Sequence, residues 1–545
     1  MNLRYFKNLI PVAAVAFAVA GLSSCTKDLD VTPIDPSTVM TPSEPELFTK
    51  CYATMALAGN YGGDGKGAPK EDYVCDINRL DGGTTGFVRQ MFNANELTTD
   101  EAICAWGDPG IPEFNYNSWG SSHPMLEGFY NRLYTSIAFC NHYLDVCNGI
   151  DATRTAEVRF LRAMYYYFLM DCFGNVPFAT ELMSTSPQQI QRADLFNWIE
   201  SELLEVKDQM QTPVARTSKS EGYGRADQDA ANLLLARLYL NAAVYTGSTR
   251  WAEAKEYAEK VINGPHKLWT NGTNGWSAYQ MLFMGDNGEN GSSIEAVLPL
   301  LGDGISTTSY GTAMFLMSSA WKDDMDVDGD FGMVGKFWAG NRARRQLVEK
   351  FFPNGDAPNV TIREMAIVAG DARALFFGVD RTLSASTPSD FATGFSVGKF
   401  RNTYSTGATP HSTAFPDADY FLMRSAEAYL IAAEADARQN NGTTTATGAQ
   451  YINALRSRAG TTTVSSYTLK QILDERSREL YWEGFRRTDL IRYGIYAGDN
   501  SGGENAWEWK GGSENGASLP AYRNLFAIPS SDLTANPNLK QNEGY

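Results

Sequence analysis

Histidine is nearly missing from this chain: His123, His142, His266 and His411 are all there are in 545 residues. None stands in an HExxH pair and no GxSxG elbow occurs, so metalloprotease and Ser–His chemistry lack their residues. A Walker loop and a GxGxxG turn are also absent, which removes the usual nucleotide signals. No CxxC pair occurs, which removes zinc ribbons and dithiol redox motifs. Positive charge is scarce: 46 Lys and Arg against 63 Asp and Glu leave a formal net charge of −17. Such a chain repels nucleic acid and anionic lipid, and suits a neutral ligand or a cation such as calcium.

What is present begins at the N-terminus. Arg4 and Lys7 precede an apolar run from Val12 to Ala20, too short to span a bilayer. Leu22-Ser23-Ser24-Cys25 then resembles a lipobox, where a thiol is acylated and the chain is cut before it. Residues 1–24 therefore read as a lipoprotein signal peptide, and Cys25 as the lipidated residue. The polar Thr26-Lys27-Asp28-Leu29-Asp30 is similar to the acidic tag that sends lipoproteins to the outer face of the outer membrane. Pro33 and Pro36 discourage helix, so 25–40 reads as a tether and 41–545 as one body. The other six cysteines, Cys51, Cys75, Cys104, Cys140, Cys147 and Cys172, would sit in an oxidising compartment. Cys140 and Cys147 share a predicted helix about 10 Å apart, too far to bridge. Most of the six read as small buried hydrophobes, with pairing open.

Within the body, helical periodicity dominates at both ends. Dense apolar positions predict helices over 126–148 and 152–172, closed by Gly174 and Pro177. Leu234, Leu238, Ala242 and Tyr245 share one helical face, as do Ala254, Tyr257, Ala258, Val261 and Ile262 over 251–263. Leu422, Ala426, Tyr429, Leu430, Ala433 and Ala437 repeat the pattern, followed by helices near 447–459 and 469–485. Small and large residues alternate on consecutive helices as in a tetratricopeptide unit. The predicted fold is mainly α, a tetratricopeptide-like scaffold of degenerate helix pairs. Its parts are a helical 41–263, a loop-rich 264–416 with the ligand site, and helices and a tail over 417–545.

Several constellations invite chemistry. Glu475, Glu479 and Glu483 recur every four residues, and a glycosidase needs two carboxylates. Arg476, Arg478, Arg486 and Arg487 surround them, so a helix laced by Glu–Arg pairs is the favoured reading. Asp324-Met325-Asp326-Val327-Asp328-Gly329-Asp330 matches half of a calcium loop, but Gly335 stands where the closing Glu belongs. Asp286 with Glu289, and Asp417 with Asp419, are two further acid clusters and candidate ligands for a structural calcium; no cofactor is required. Aromatic residues make up 12% of the chain. Trp106, Tyr116 and Trp119 lie in one stretch, and Tyr310, Trp321 and Trp338 in another; half or more of such rings are core, as Trp251 is expected to be. The remainder suit an uncharged sugar, whose C–H face stacks on a ring.

Motifs along the whole chain complete the reading. Glu157-Val158-Arg159-Phe160-Leu161-Arg162-Ala163, Phe173-Gly174-Asn175-Val176-Pro177-Phe178, Gly224-Arg225-Ala226, Arg424-Ser425-Ala426-Glu427-Ala428-Tyr429-Leu430, Asn453-Ala454-Leu455-Arg456, Glu483-Gly484-Phe485-Arg486-Arg487-Thr488-Asp489-Leu490 and Asn538-Leu539-Lys540-Gln541-Asn542 stand in order. Together they resemble the SusD/RagB family of outer-membrane nutrient-binding lipoproteins. Phe92 to Glu101, Trp507 to Gly512 and the ending Gln541 to Tyr545 are most similar to the starch-binding type. The resemblance implies a non-catalytic, cell-surface protein that captures starch or malto-oligosaccharide and caps a SusC-type TonB-dependent transporter. It also implies an aromatic arc of Trp106, Tyr310 and Trp338, with Asp81 and Arg89 as polar partners. Cys104 stands where the starch-binding type carries a further Trp, and Pro109 near an Asn, so one end of the arc reads as trimmed. Another glycan or a peptide as ligand, or a hydrolase built on the Glu residues, are the alternatives.

Overall fold

The computed structural model describes residues 43–59, 75–77 and 82–545. Cys25, Asp81 and the tether lie outside them. The chain divides into Met1–Leu47 and Phe48–Tyr545.

Twelve helices matter here: α1 (Glu44–Ala56), α2 (Phe87–Phe92), α3 (Pro124–Val146), α4 (Ala152–Phe173), α5 (Arg192–Val206), α6 (Gln228–Leu240), α7 (Trp251–Asn263), α8 (Ala313–Ser318), α9 (Ser425–Gln439), α10 (Ala446–Arg458), α11 (Leu469–Leu480) and α12 (Arg486–Arg492). The strands that matter are β1 (Ala102–Cys104), β2 (Ala296–Leu300), β3 (Asn341–Ala343) and β4 (Tyr420–Arg424). β1 pairs antiparallel with β3, and β2 with β4.

The helices start where side chains satisfy free backbone N–H groups. Leu126 N–H donates to His123 Nδ1 at the head of α3, Arg154 N–H to Asp151 at α4, and Asp229 N–H to Asp227 at α6. Thr468 and Gln471 form a capping box at α11. The helices then stack in sequence, α3 on α4, α4 on α5, α6 on α7, α7 on α9, and α9 on α10 and α11. Ala426, Ala433 and Ala437 leave room on α9 for Ala449, Ile452 and Leu455 of α10 and Ile472 of α11. This is the mainly α, tetratricopeptide-like scaffold predicted from periodicity. Between α7 and β4 no helix exceeds the eight residues of Ile362–Ala369.

Three sequence expectations change. Leu422 lies in β4, and its helix starts at Ser425. The pattern through Tyr245 is interrupted: α6 ends at Leu240, and Ala242–Thr246 is a separate turn of helix. The helix expected to reach 485 stops at Leu480, where Tyr481 is extended and Trp482 turns left-handed at φ 67°. Glu483 therefore leaves the helix carrying Glu475 and Glu479.

Candidate functional site

The pairing of β1 with β3 aligns Cys104 with Asn341 and sends the next residues of both strands to one surface. Ala105 N–H donates to Gly340 O at 2.8 Å. The Trp106 indole N–H then donates to Trp338 O at 3.0 Å. Gly340 makes this possible, because a methyl there would overlap the Trp106 ring. Trp338 itself is strapped to the end of α8, its N–H donating to Ser318 O at 2.8 Å, and Ala339 turns at φ 48°.

Trp106 and Trp338 ring centroids lie 6.4 Å apart, Trp338 and Tyr310 6.0 Å, and Tyr310 and Phe415 5.3 Å. The first three are half-buried; Phe415 is buried. The result is a continuous row of tilted rings. Among the described residues, the Trp338 indole N–H and Tyr310 hydroxyl have no protein partner, so they are open to a ligand's hydroxyls. Arg89 on α2 flanks the row, its guanidinium carbon 5.7 Å from the Trp106 ring and 5.3 Å from Phe315. Gly86 and Gly311 set that placement. They meet so closely that a Cβ on Gly311 would fall 2.6 Å from Gly86 Cα, and Arg89 N–H donates to Gly311 O at 3.1 Å. The structure thus brings Arg89, Trp106, Tyr310 and Trp338 together; Asp81 lies outside the described residues. The rigid row offers ring faces for stacking and a few polar donors at their edges, the equipment of a carbohydrate site.

Other expected residues fall elsewhere. Trp119 and Trp321 are core. Tyr116 pairs with Trp509, 5.9 Å away. Cys104 is buried, its backbone held by Asn115, and burial pushes its thiol up to about 12. Pro109 lies on an exposed turn.

The acidic candidates are engaged by protein donors. Asp286 accepts from Ser405 and Asn290, Glu289 pairs with Lys219 at 2.8 Å, Asp417 accepts from Tyr404, and Asp419 from Tyr223 and Gly302. In the calcium-like loop, Arg381 takes Asp324 and Arg363 takes Asp330. Among the described residues no three His, Cys, Asp or Glu side chains converge as metal ligands.

Glu475, Glu479 and Glu483 are buried, and their partners come mostly from distant elements. Arg373 binds Glu475 at 2.7 Å; Arg424 binds Glu295, Glu479 and Glu483; Lys399 binds Glu483 at 2.7 Å. Of the nearby arginines only Arg478 joins them, on Glu475, while Arg476 turns to Asp489 and Arg486 to Asp100. The expected Glu–Arg lacing is real, but it ties elements together.

A mainly α scaffold carrying an open row of rings is the architecture of a surface binding protein rather than of an enzyme cleft, and comparison places it: the chain belongs to the SusD family. Residues 369–545 match the model described as SusD family, and residues 93–240 the model described as starch-binding associating with outer membrane. Among individual proteins, the chain is 37% identical to the starch-binding protein SusD of Bacteroides thetaiotaomicron, over all of both chains. The fold is similar to that of a SusD superfamily protein from Parabacteroides distasonis (TM-score 0.64, 20% identity, covering 92% of this chain and 98% of that one). It is also similar to that of surface glycan-binding protein A from Bacteroides thetaiotaomicron, solved in complex with laminarihexaose (TM-score 0.61, 19% identity, covering 92% and 98%).

Proposed function

We propose that this protein captures starch-like α-glucan chains at the outer surface of the outer membrane and delivers them to a SusC-type TonB-dependent transporter, without cleaving them. The row Trp106–Trp338–Tyr310 is the observation that carries the reading. A helical α-glucan presents successive C–H faces along a curve, and tilted neighbouring rings follow a curve better than a flat one. Arg89 and the open donors of Trp338 and Tyr310 supply hydrogen bonds to sugar hydroxyls. The starch-binding relative, aligned over its full length, supports the choice of ligand. Burial of Glu475, Glu479 and Glu483 in ion pairs supports binding without hydrolysis. Membrane attachment through lipid on Cys25 rests on the lipobox-like sequence.

Isothermal titration of the protein lacking residues 1–25 tests this against maltoheptaose and a linear β-glucan. Heat is expected with maltoheptaose, and Trp338→Ala should weaken it about tenfold or more. Binding only to the β-glucan would replace the ligand; unchanged binding by Trp338→Ala would remove the row from the site. No new reducing ends should appear when the protein is incubated with starch.

A further inference from the structure

The helices α1 and α3 run antiparallel against each other, with aromatic pairs such as Phe48–Tyr143 toward one end and a polar contact toward the other. Thr54 and Ser136 hydroxyls bond to each other across it. One turn further along both helices stand Cys51 and Cys140, three residues before Thr54 and four after Ser136. Neither side chain is exposed to solvent. Phe48 against Tyr143, Lys50 over Phe139 and Thr54 on Ser136 run in register along the two helices, which sets Cys51 opposite Cys140, both as free thiols. Tyr165 of α4 closes the other side, its hydroxyl donating to Cys51 O at 2.7 Å. By contrast, the Cys75 thiol lies 3.0 Å from the Thr85 hydroxyl.

Facing positions on adjacent helices are where a disulfide can form, since it needs Cα atoms within about 4.4–6.8 Å and converging Cβ vectors. We propose that Cys51 and Cys140 form a disulfide in the mature, exported protein, stapling α1 to α3. The step is thiol–disulfide exchange. One thiolate attacks an external disulfide of the oxidising compartment and releases one thiol; the second thiolate then attacks the mixed disulfide and releases the other. Two thiols lose two protons and two electrons, one S–S bond forms, and the external disulfide leaves as two thiols. Because both sulfurs are buried, exchange precedes final packing, and the completed bond is shielded from reductant. The bond constrains the unfolded chain between the first described helix and the scaffold.

The inference rests on export, so the test uses full-length protein taken from the outer-membrane fraction of a Gram-negative host. There, free thiols would overturn the disulfide and not the localisation. Free thiols are alkylated in denaturant without reductant, and the digest is mapped by mass spectrometry. The expected product is a Cys51–Cys140 cross-linked peptide, two hydrogens lighter than its parts and split by reductant. Alkylation of both residues, or either one linked elsewhere, would overturn it. As a second measurement, reductant during heating should lower the melting midpoint of the wild type by about 3–6 °C and leave Cys51→Ser unaffected. Equal reductant effects on both would overturn the staple.

Discussion

Gly340 has no side chain to offer a sugar, yet it decides where one of the rings lies. The Trp106 indole is fixed by its N–H bond to Trp338 O, so it cannot retreat from a new methyl. Gly340→Ala should keep the fold and weaken maltoheptaose binding about tenfold, since overpacking of this kind costs about 1–3 kcal/mol; titration beside circular dichroism checks both halves. Such a residue was not legible in the sequence, because close approach leaves no chemical mark on a glycine. The rings themselves were partly legible. Composition could not separate the surface Trp106 and Trp338 from the core Trp119 and Trp321; resemblance did. Cys104 works in the other direction: the resemblance implies a ring position there, and the side chain is interior.

Among elements, helices with one clean apolar stripe were read closely, and α7 matches its predicted 251–263 range. Periodicity failed where the chain changes structure without changing pattern. Leu422 sits on a fully buried strand, whose apolar run resembles one more helical turn. The end of α11 was hidden because residues 481–485 continue the mixture of Glu and aromatics. The partners of Glu479 and Glu483 were equally hidden, since tertiary arginines lie far away in sequence. Arg424, at the junction of β4 and α9, is the centre of that assembly, bonded to Glu295 at 2.8 Å and to Glu479 and Glu483 at 2.7 Å. Arg424→Ala would leave three buried carboxylates short of a cation and should cost about 3–5 kcal/mol. A denaturant midpoint that barely moves would contradict the ion pairs as described.

For the whole molecule, two populations of buried acids give stability an asymmetric pH profile. Burial pushes Glu434 up, but Arg492, Arg438 and Arg476 outweigh it and hold the carboxyl down to about 2. Its folded value lies below its unfolded one, so its contribution is full above about pH 4.5 and is lost as pH falls towards 2. Asp419 is the reverse case. Burial first, then Asp303 and Asp417, raise it to about 7. The folded state keeps a proton that the unfolded state releases near pH 4, so stability declines as pH rises from about 4 to 7. Melting curves should drop steeply below about pH 4.5 and fall gently towards neutrality. Asp419→Asn should flatten the gentle limb by about 2–5 °C without altering the steep one.

The bond from the Trp106 indole to Trp338 O joins residues 232 apart in sequence, and Arg89 and Tyr310 arrive on still other segments. No fragment of the polypeptide owns the row of rings. A chain held extended therefore carries no such row, and the surface exists only once those distant segments have folded together.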